Sequence, residues 1–209
     1  MGSGDSPSFP KNGKEGLSPL PIFRQETLHM YCGNNRTALA SQEQIAQAAL
    51  QLIQNKPYAS ISVSELCKQA GVSRQTFYSL FESKDNVMVF ILQERYCCGL
   101  PADDEEHPSC LEQLCREYSR YICRQKDFIQ MLVRNNITYL LNDSFYEALT
   151  HCGCFLSAME PSRQPYAAHF IAGGFTSIAQ TYVTEGSTAD EEFLFQVCLQ
   201  LFEGGWMPL

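Results

Sequence analysis

The chain has 209 residues, with 44% hydrophobic and 18% charged side chains and a net charge of −8. That balance fits a globular protein of one body or two small ones and excludes a disordered or collagen-like chain. No apolar run reaches the ~18–20 residues of a membrane span, and no basic, then apolar, signal region opens the chain, so a cytoplasmic protein without a membrane partner is expected. The acidity is uneven. Residues 1–33 hold three basic and three acidic side chains, residues 34–95 six against five, and residues 96–209 six against fifteen. The acidic character therefore belongs to the C-terminal part.

Residues 1–33 are rich in Gly, Ser and Pro without a sustained period. Such a segment buries too little apolar area to offset its ordering entropy, so residues 1–35 are expected to be disordered, with Met30 a candidate start. A first helix is predicted from Ser41, with Gln44 at the capping-box position. Its inner stripe is Ile45, Ala48, Ala49, Leu52 and Ile53, and Asn55 with Pro57 stops it.

The stretch Ser62 to Lys84, SVSELCKQAGVSRQTFYSLFESK, predicts two short helices around a tight turn. Ser62 and Glu65 form a capping box for the first, and Val63, Leu66, Cys67 and Ala70 share one face at helical spacing. Gly71 stands where a helix ends in a left-handed residue. Ser73 caps a second helix, Arg74 to Phe81, which turns Phe77, Leu80 and Phe81 inward and Arg74, Gln75, Thr76, Tyr78 and Ser79 outward. A polar helix held by a short Gly turn is the layout of a helix-turn-helix recognition element, as against an ordinary αα-hairpin.

The continuation FYSLFESKDNV, together with AGVSRQTFY, resembles the DNA-binding signature of TetR-family regulators. Phe77, Tyr78, Phe81 and Lys84 fill that signature's places; Leu80 departs from it where many members carry His. The likeness covers roughly residues 41–92. It implies an all-α protein with a helix-turn-helix DNA-binding domain over residues 36–86 and a helical effector-binding and dimerisation domain over residues 87–209. It also implies a ligand-responsive homodimeric regulator, a repressor by default, on a palindromic double-stranded DNA operator. Arg74 and Gln75 are then placed for base edges, and Ser62, Ser73, Thr76, Tyr78 and Lys84 for phosphates. Arg36, with Thr37, resembles the basic arm that such regulators place beside DNA.

A helix after Ser83 carries Val87, Phe90 and Ile91 and ends at Gly99-Leu100-Pro101, before the acidic loop ADDEEHP. Further helices are expected after a Ser109–Glu112 box, at Asp127, at Asn142 or Asp143, after Pro165 and after a Thr188–Glu191 box. No strand pattern or repeat is present. An aromatic set from this region, Tyr118, Tyr121, Phe128, Tyr139, Tyr146 and Phe155, is core by spacing; the resemblance implies that some of it lines a pocket for an unidentified small-molecule effector. The last two helices are apolar on more than one face. The resemblance implies a four-helix dimer interface there, built from Phe170, Gly174, Phe175, Ile178, Tyr182, Val197 and Leu201; the alternative is a completed monomeric core.

Ten cysteines raise redox and metal chemistry, but their spacings give no paired ligand set, and Cys152 and Cys154 near His151 would point about 200° apart on a helix. Buried hydrophobe-like thiols are expected, with no metal and no cofactor. No phosphate loop, catalytic carboxylate pair or GxSxG appears, so an enzyme is not expected. The competing function is a co-regulator of the same fold that binds protein instead of DNA, suggested by Leu80 and the near-neutral charge of residues 34–95.

Overall fold

The computed structural model describes residues 31, 33–97, 111–151, 156, 159–185 and 189–204. Among them are nine α-helices and no strand: α1 Arg36–Asn55, α2 Val63–Ala70, α3 Arg74–Leu80, α4 Lys84–Cys97, α5 Leu111–Arg124, α6 Lys126–Arg134, α7 Thr138–His151, α8 Gln164–Thr184 and α9 Glu191–Glu203. A 3-10 turn, Tyr58–Ser60, joins α1 to α2. The all-α fold class read from the sequence holds. No described helix is long and apolar enough to cross a membrane.

The first helix starts six residues earlier than the Ser41 cap predicts. Asn35 caps it, its side-chain oxygen accepting the Thr37 N–H, while Ser41 lies inside the helix and bonds the Thr37 carbonyl at 2.9 Å. Tyr31 and residues 33–35 fall within the segment expected to be disordered, and bonds are made there too. Tyr31 donates its N–H to the Leu80 carbonyl at 2.9 Å, and its own carbonyl accepts from Gln42 Nε2 at 2.9 Å. Three backbone or cap bonds hold residues that lack any apolar period, and periodicity alone could not find them.

Helices α1 to α3 close around Ile45, Ala49, Leu66, Phe77 and Phe81, all buried. Helix α4 packs on both α1 and α7 and so joins this unit to the rest. In the C-terminal body α5 lies along α9, and α6 and α7 lie against α8. The core there is aromatic: Tyr118 stacks on Phe175 at 3.8 Å between centroids and meets Phe145 edge-on at 4.6 Å. Arg116 lies 3.9 Å over the Phe195 ring, and Arg120 pairs with Glu191, which ties α5 to α9 at the rim. Exposed pairs of this kind contribute little beyond fixing register.

Two other predicted starts move. The helix expected from Asn142 begins at Thr138, because Asn136 takes a left-handed conformation (φ 56°) and ends α6 in a sharp corner. Asn tolerates that conformation better than most residues, but nothing in the periodicity marks it. The last helix is capped by Asp190, whose carboxylate accepts the Phe193 N–H at 2.9 Å; Glu191 serves Arg120 instead of closing a box. Thr188, Ser109, the Gly99–Pro101 stop and the acidic loop lie outside the described residues.

Candidate nucleic-acid interface

The helix-turn-helix follows from its caps. Ser62 Oγ accepts the Glu65 N–H at 3.2 Å and opens α2. Glu65 does not reach back as a full capping box requires; its carboxylate pairs with Lys56 across the loop. Gly71 closes α2 at φ 69°, a left-handed conformation that costs an L side chain roughly 1–2 kcal/mol. Its N–H and that of Val72 return to the carbonyls of Lys68 and Cys67. Ser73 Oγ then accepts the Thr76 N–H at 2.9 Å and shares a hydrogen bond with the Thr76 hydroxyl at 2.8 Å.

This places the predicted contact residues in four different situations. Arg74, Gln75 and Tyr78 are exposed on one side of α3, and the Arg74 guanidinium lies 5.9 Å from the Tyr78 ring, one turn on. Phe77 and Leu80 anchor the opposite side in the core. Leu80 therefore serves packing, a physical reason for an apolar residue there. Ser62, Ser73 and Thr76 sit at helix starts with their hydroxyls engaged in capping. Arg36 is exposed in the first turn of α1, not on a free arm ahead of it.

Lys84 differs most from the expectation. Its ammonium donates to the carbonyls of Tyr58 at 2.9 Å and Ile61 at 3.1 Å, and sits 4.3 Å over the Tyr58 ring. The lysine is a staple between α4 and the Tyr58 turn, where the resemblance implied a phosphate contact. Of the predicted contacts, the exposed Arg74, Gln75 and Tyr78 are left to address a nucleic acid, with Arg36 and the α2 and α3 starts beside them in the chain. An arginine fork and a carboxamide can bond guanine and adenine edges, and a phenol or hydroxyl can bond phosphate oxygens.

The predicted effector and dimer residues also separate. Tyr118, Tyr121 and Phe128 are buried in the aromatic core, and Tyr146 stacks on His169 of α8 at 4.0 Å. Tyr139 is not part of that cluster. It is 47% exposed and donates its hydroxyl to Asp85 Oδ2 at 2.7 Å, so the pocket assignment is corrected. Phe155 lies outside the described residues.

On α8, Phe175 is 1% exposed beneath Tyr118, and Tyr182 is buried with its hydroxyl on the Ala189 carbonyl at 3.0 Å. A Cβ on Gly174 would stand 2.9 Å from the Phe202 ring. These three serve packing within the chain, correcting their assignment to a dimer face. Phe170 remains 69% exposed, Leu201 is exposed, and Ile178 and Val197 are half-buried. Tyr166, one turn before Phe170 on α8, and Phe193, one turn before Val197 on α9, are exposed as well.

Cys67, Cys115 and Cys198 are buried thiols outside any disulfide. Burial pushes Cys198 up to about 11, which keeps it protonated and inert at neutral pH. His151 belongs to α7, while Cys152 and Cys154 lie outside the described residues. The described residues contain no group of three potential metal ligands.

Residues 45–89 match the family described as bacterial regulatory proteins, tetR family. Over 48 residues the chain is 46% identical to the HTH-type transcriptional regulator EthR of Mycobacterium tuberculosis, covering 23% of this chain and 22% of that one. It is 32% identical over 63 residues to the dhaKLM operon transcriptional activator DhaS of Lactococcus lactis, covering 30% of this chain and 34% of that one. The chain thus matches about a fifth to a third of the length of these relatives. Its fold is similar to that of a TetR transcriptional regulator from Streptococcus agalactiae, with a TM-score of 0.54 at 19% identity over 80% of this chain and 96% of that one. Residues 45–89 thus carry the sequence of the TetR family of bacterial regulatory proteins, and the chain as a whole shares its all-α fold with such a regulator.

Proposed function

We infer that the protein is a transcriptional regulator in the cytoplasm, without enzymatic activity, that binds a palindromic DNA operator as a homodimer, by default as a repressor. One observation carries this reading: Arg74, Gln75 and Tyr78 form an exposed, unburied polar side on a helix whose other side, Phe77 and Leu80, is fixed in the core. Base readout needs such a rigid helix with free ends of side chains. A second copy supplies the second half-site. Phe170 and Tyr166 on α8 and Phe193 and Leu201 on α9 are exposed apolar side chains that such a pairing covers. A small-molecule effector, held among the helices around Tyr118, Tyr121 and Phe128, acts by favouring one spacing of the two recognition helices.

The test is a gel shift with the DNA flanking the protein's own gene against random DNA of equal length. The reading expects preference for the flanking DNA, lost in Arg74→Ala. A second reading, a co-regulator that binds protein through the same fold, draws on the engagement of Lys84 within the chain and on the near-neutral charge of residues 34–95. Equal, weak binding to both DNAs favours it.

A further inference from the structure

Tyr58 lies between α1 and the helix-turn-helix, and each of its polar atoms is held by a part of the chain beyond that turn. Its N–H donates to Asn135 Oδ1 at 2.8 Å, its carbonyl accepts from Lys84 at 2.9 Å, and its hydroxyl donates to Asp85 Oδ1 at 2.6 Å. The other Asp85 oxygen accepts the Tyr139 hydroxyl at 2.7 Å. Asn135 is itself oriented, because its Nδ2 donates to the Met131 carbonyl at 2.9 Å. Asn135 and Tyr139 flank the corner between α6 and α7, where Asn136 takes its left-handed conformation.

We propose that this corner is a latch: Asn135 and Tyr139 are positioning residues that hold the helix-turn-helix in place through Tyr58 and Asp85. The inference rests on the reading of the protein as a DNA-binding regulator and specifies how its two parts are coupled. Three arguments support it. The unit of α1 to α3 spans only Arg36–Leu80, a size at which a separate core is marginal, so its order depends on what it docks against. Beside the apolar packing of α4 on α7, the corner's own bonds to Tyr58 and Asp85 are polar and directional, with two discrete states, bonded or open. The corner also continues into Phe128 and Leu132 of α6 and Phe145 of α7, which pack in the aromatic core, so any repacking there moves Asn135 and Tyr139 together.

Amide hydrogen exchange on the full chain tests the latch without DNA. Asn135→Ala and Tyr139→Phe are each expected to speed exchange across residues 62–81 by about 3–10-fold, the loss of one net hydrogen bond. Tyr182→Phe, which removes a phenol bond inside the C-terminal body, should leave those residues unchanged. Tyr139→Phe deletes only a half-exposed hydroxyl, so the test survives a failure of Asn135→Ala to fold. Faster exchange confined to residues 58–61 and 135–140, with residues 62–81 as in the wild type, would overturn the latch. A parallel titration with flanking DNA separates the two ideas. Wild-type protein that fails to prefer flanking DNA counts against the regulator reading, whereas the exchange result decides the latch by itself.

Discussion

The helix-turn-helix and the C-terminal body are both helical, yet they are specified in different ways. In the first, signals within a few residues suffice: Ser62 and Ser73 start the helices, Gly71 turns the chain, and Phe77 and Leu80 fix which side faces out. Local chemistry and exposed chemistry are read from the same residues. In the body, an apolar side chain on α8 has two possible destinations, the chain's own core or another copy. Phe170 and Phe175 are five residues apart on one helix, but one is 69% and the other 1% exposed. Only long-range packing decides between them.

That difference is sharpest in stability. Phe175→Ala should cost about 3–5 kcal/mol, since it empties a site stacked on Tyr118. Phe170→Ala should cost well under half as much in chemical denaturation at low protein concentration. Equal losses would erase the distinction between core and patch.

The patch has its own assay. Phe170→Glu with Leu201→Glu should convert dimers to monomers in light scattering while leaving the far-ultraviolet helix signal in place. An unchanged dimer would remove α8 and α9 as the pairing surface.

In the helix-turn-helix the expected losses are smaller and more local. Gly71→Ala forces a Cβ into the left-handed turn and should destabilise by roughly 1–2 kcal/mol, although open space surrounds it. An unaffected melting temperature would show that the turn is not held at φ 69° in solution.

The smallest effect tests where the two regions meet. Burial, and then the bond to Asp85, push the Tyr139 phenol from 10.0 to about 12, and Tyr58 is raised for the same reasons in the same order. A raised phenol pKa favours the neutral form in the folded state. Its contribution is therefore complete below pH 10.0 and is lost as pH rises through about 12. Urea titrations across that window should show a shallower alkaline decline in Tyr139→Phe than in the wild type. Identical declines would mean that the Asp85 bond is not made.

How much was legible in the sequence follows the same division. The recognition element, its caps and its outward residues are set by short-range rules, and the structure places Arg74, Gln75 and Tyr78 outward as those rules require. Lys84 was only half legible: its position in the motif is evident, but its bonds to Tyr58 and Ile61 cross more than twenty residues and leave no periodic trace. Tyr139 was misplaced for the same reason, since an aromatic at helical spacing reads as core, whereas its partner is a carboxylate on α4. Gly174 was assigned to the dimer interface, but its neighbour is Phe202 of the same chain. Sequence gives the need for a partner more readily than the partner's identity.

The central claim is that the exposed side of α3 reads DNA. The direct measurement is binding of Arg74→Ala and Gln75→Ala to flanking and random DNA at several salt concentrations, with folding checked by circular dichroism. Both residues are exposed, so stability should stay within ~0.5 kcal/mol of wild type. The account predicts a loss of ~1–3 kcal/mol for Arg74→Ala on the flanking DNA and little change on random DNA. Wild-type affinity for flanking DNA in both folded variants would contradict it.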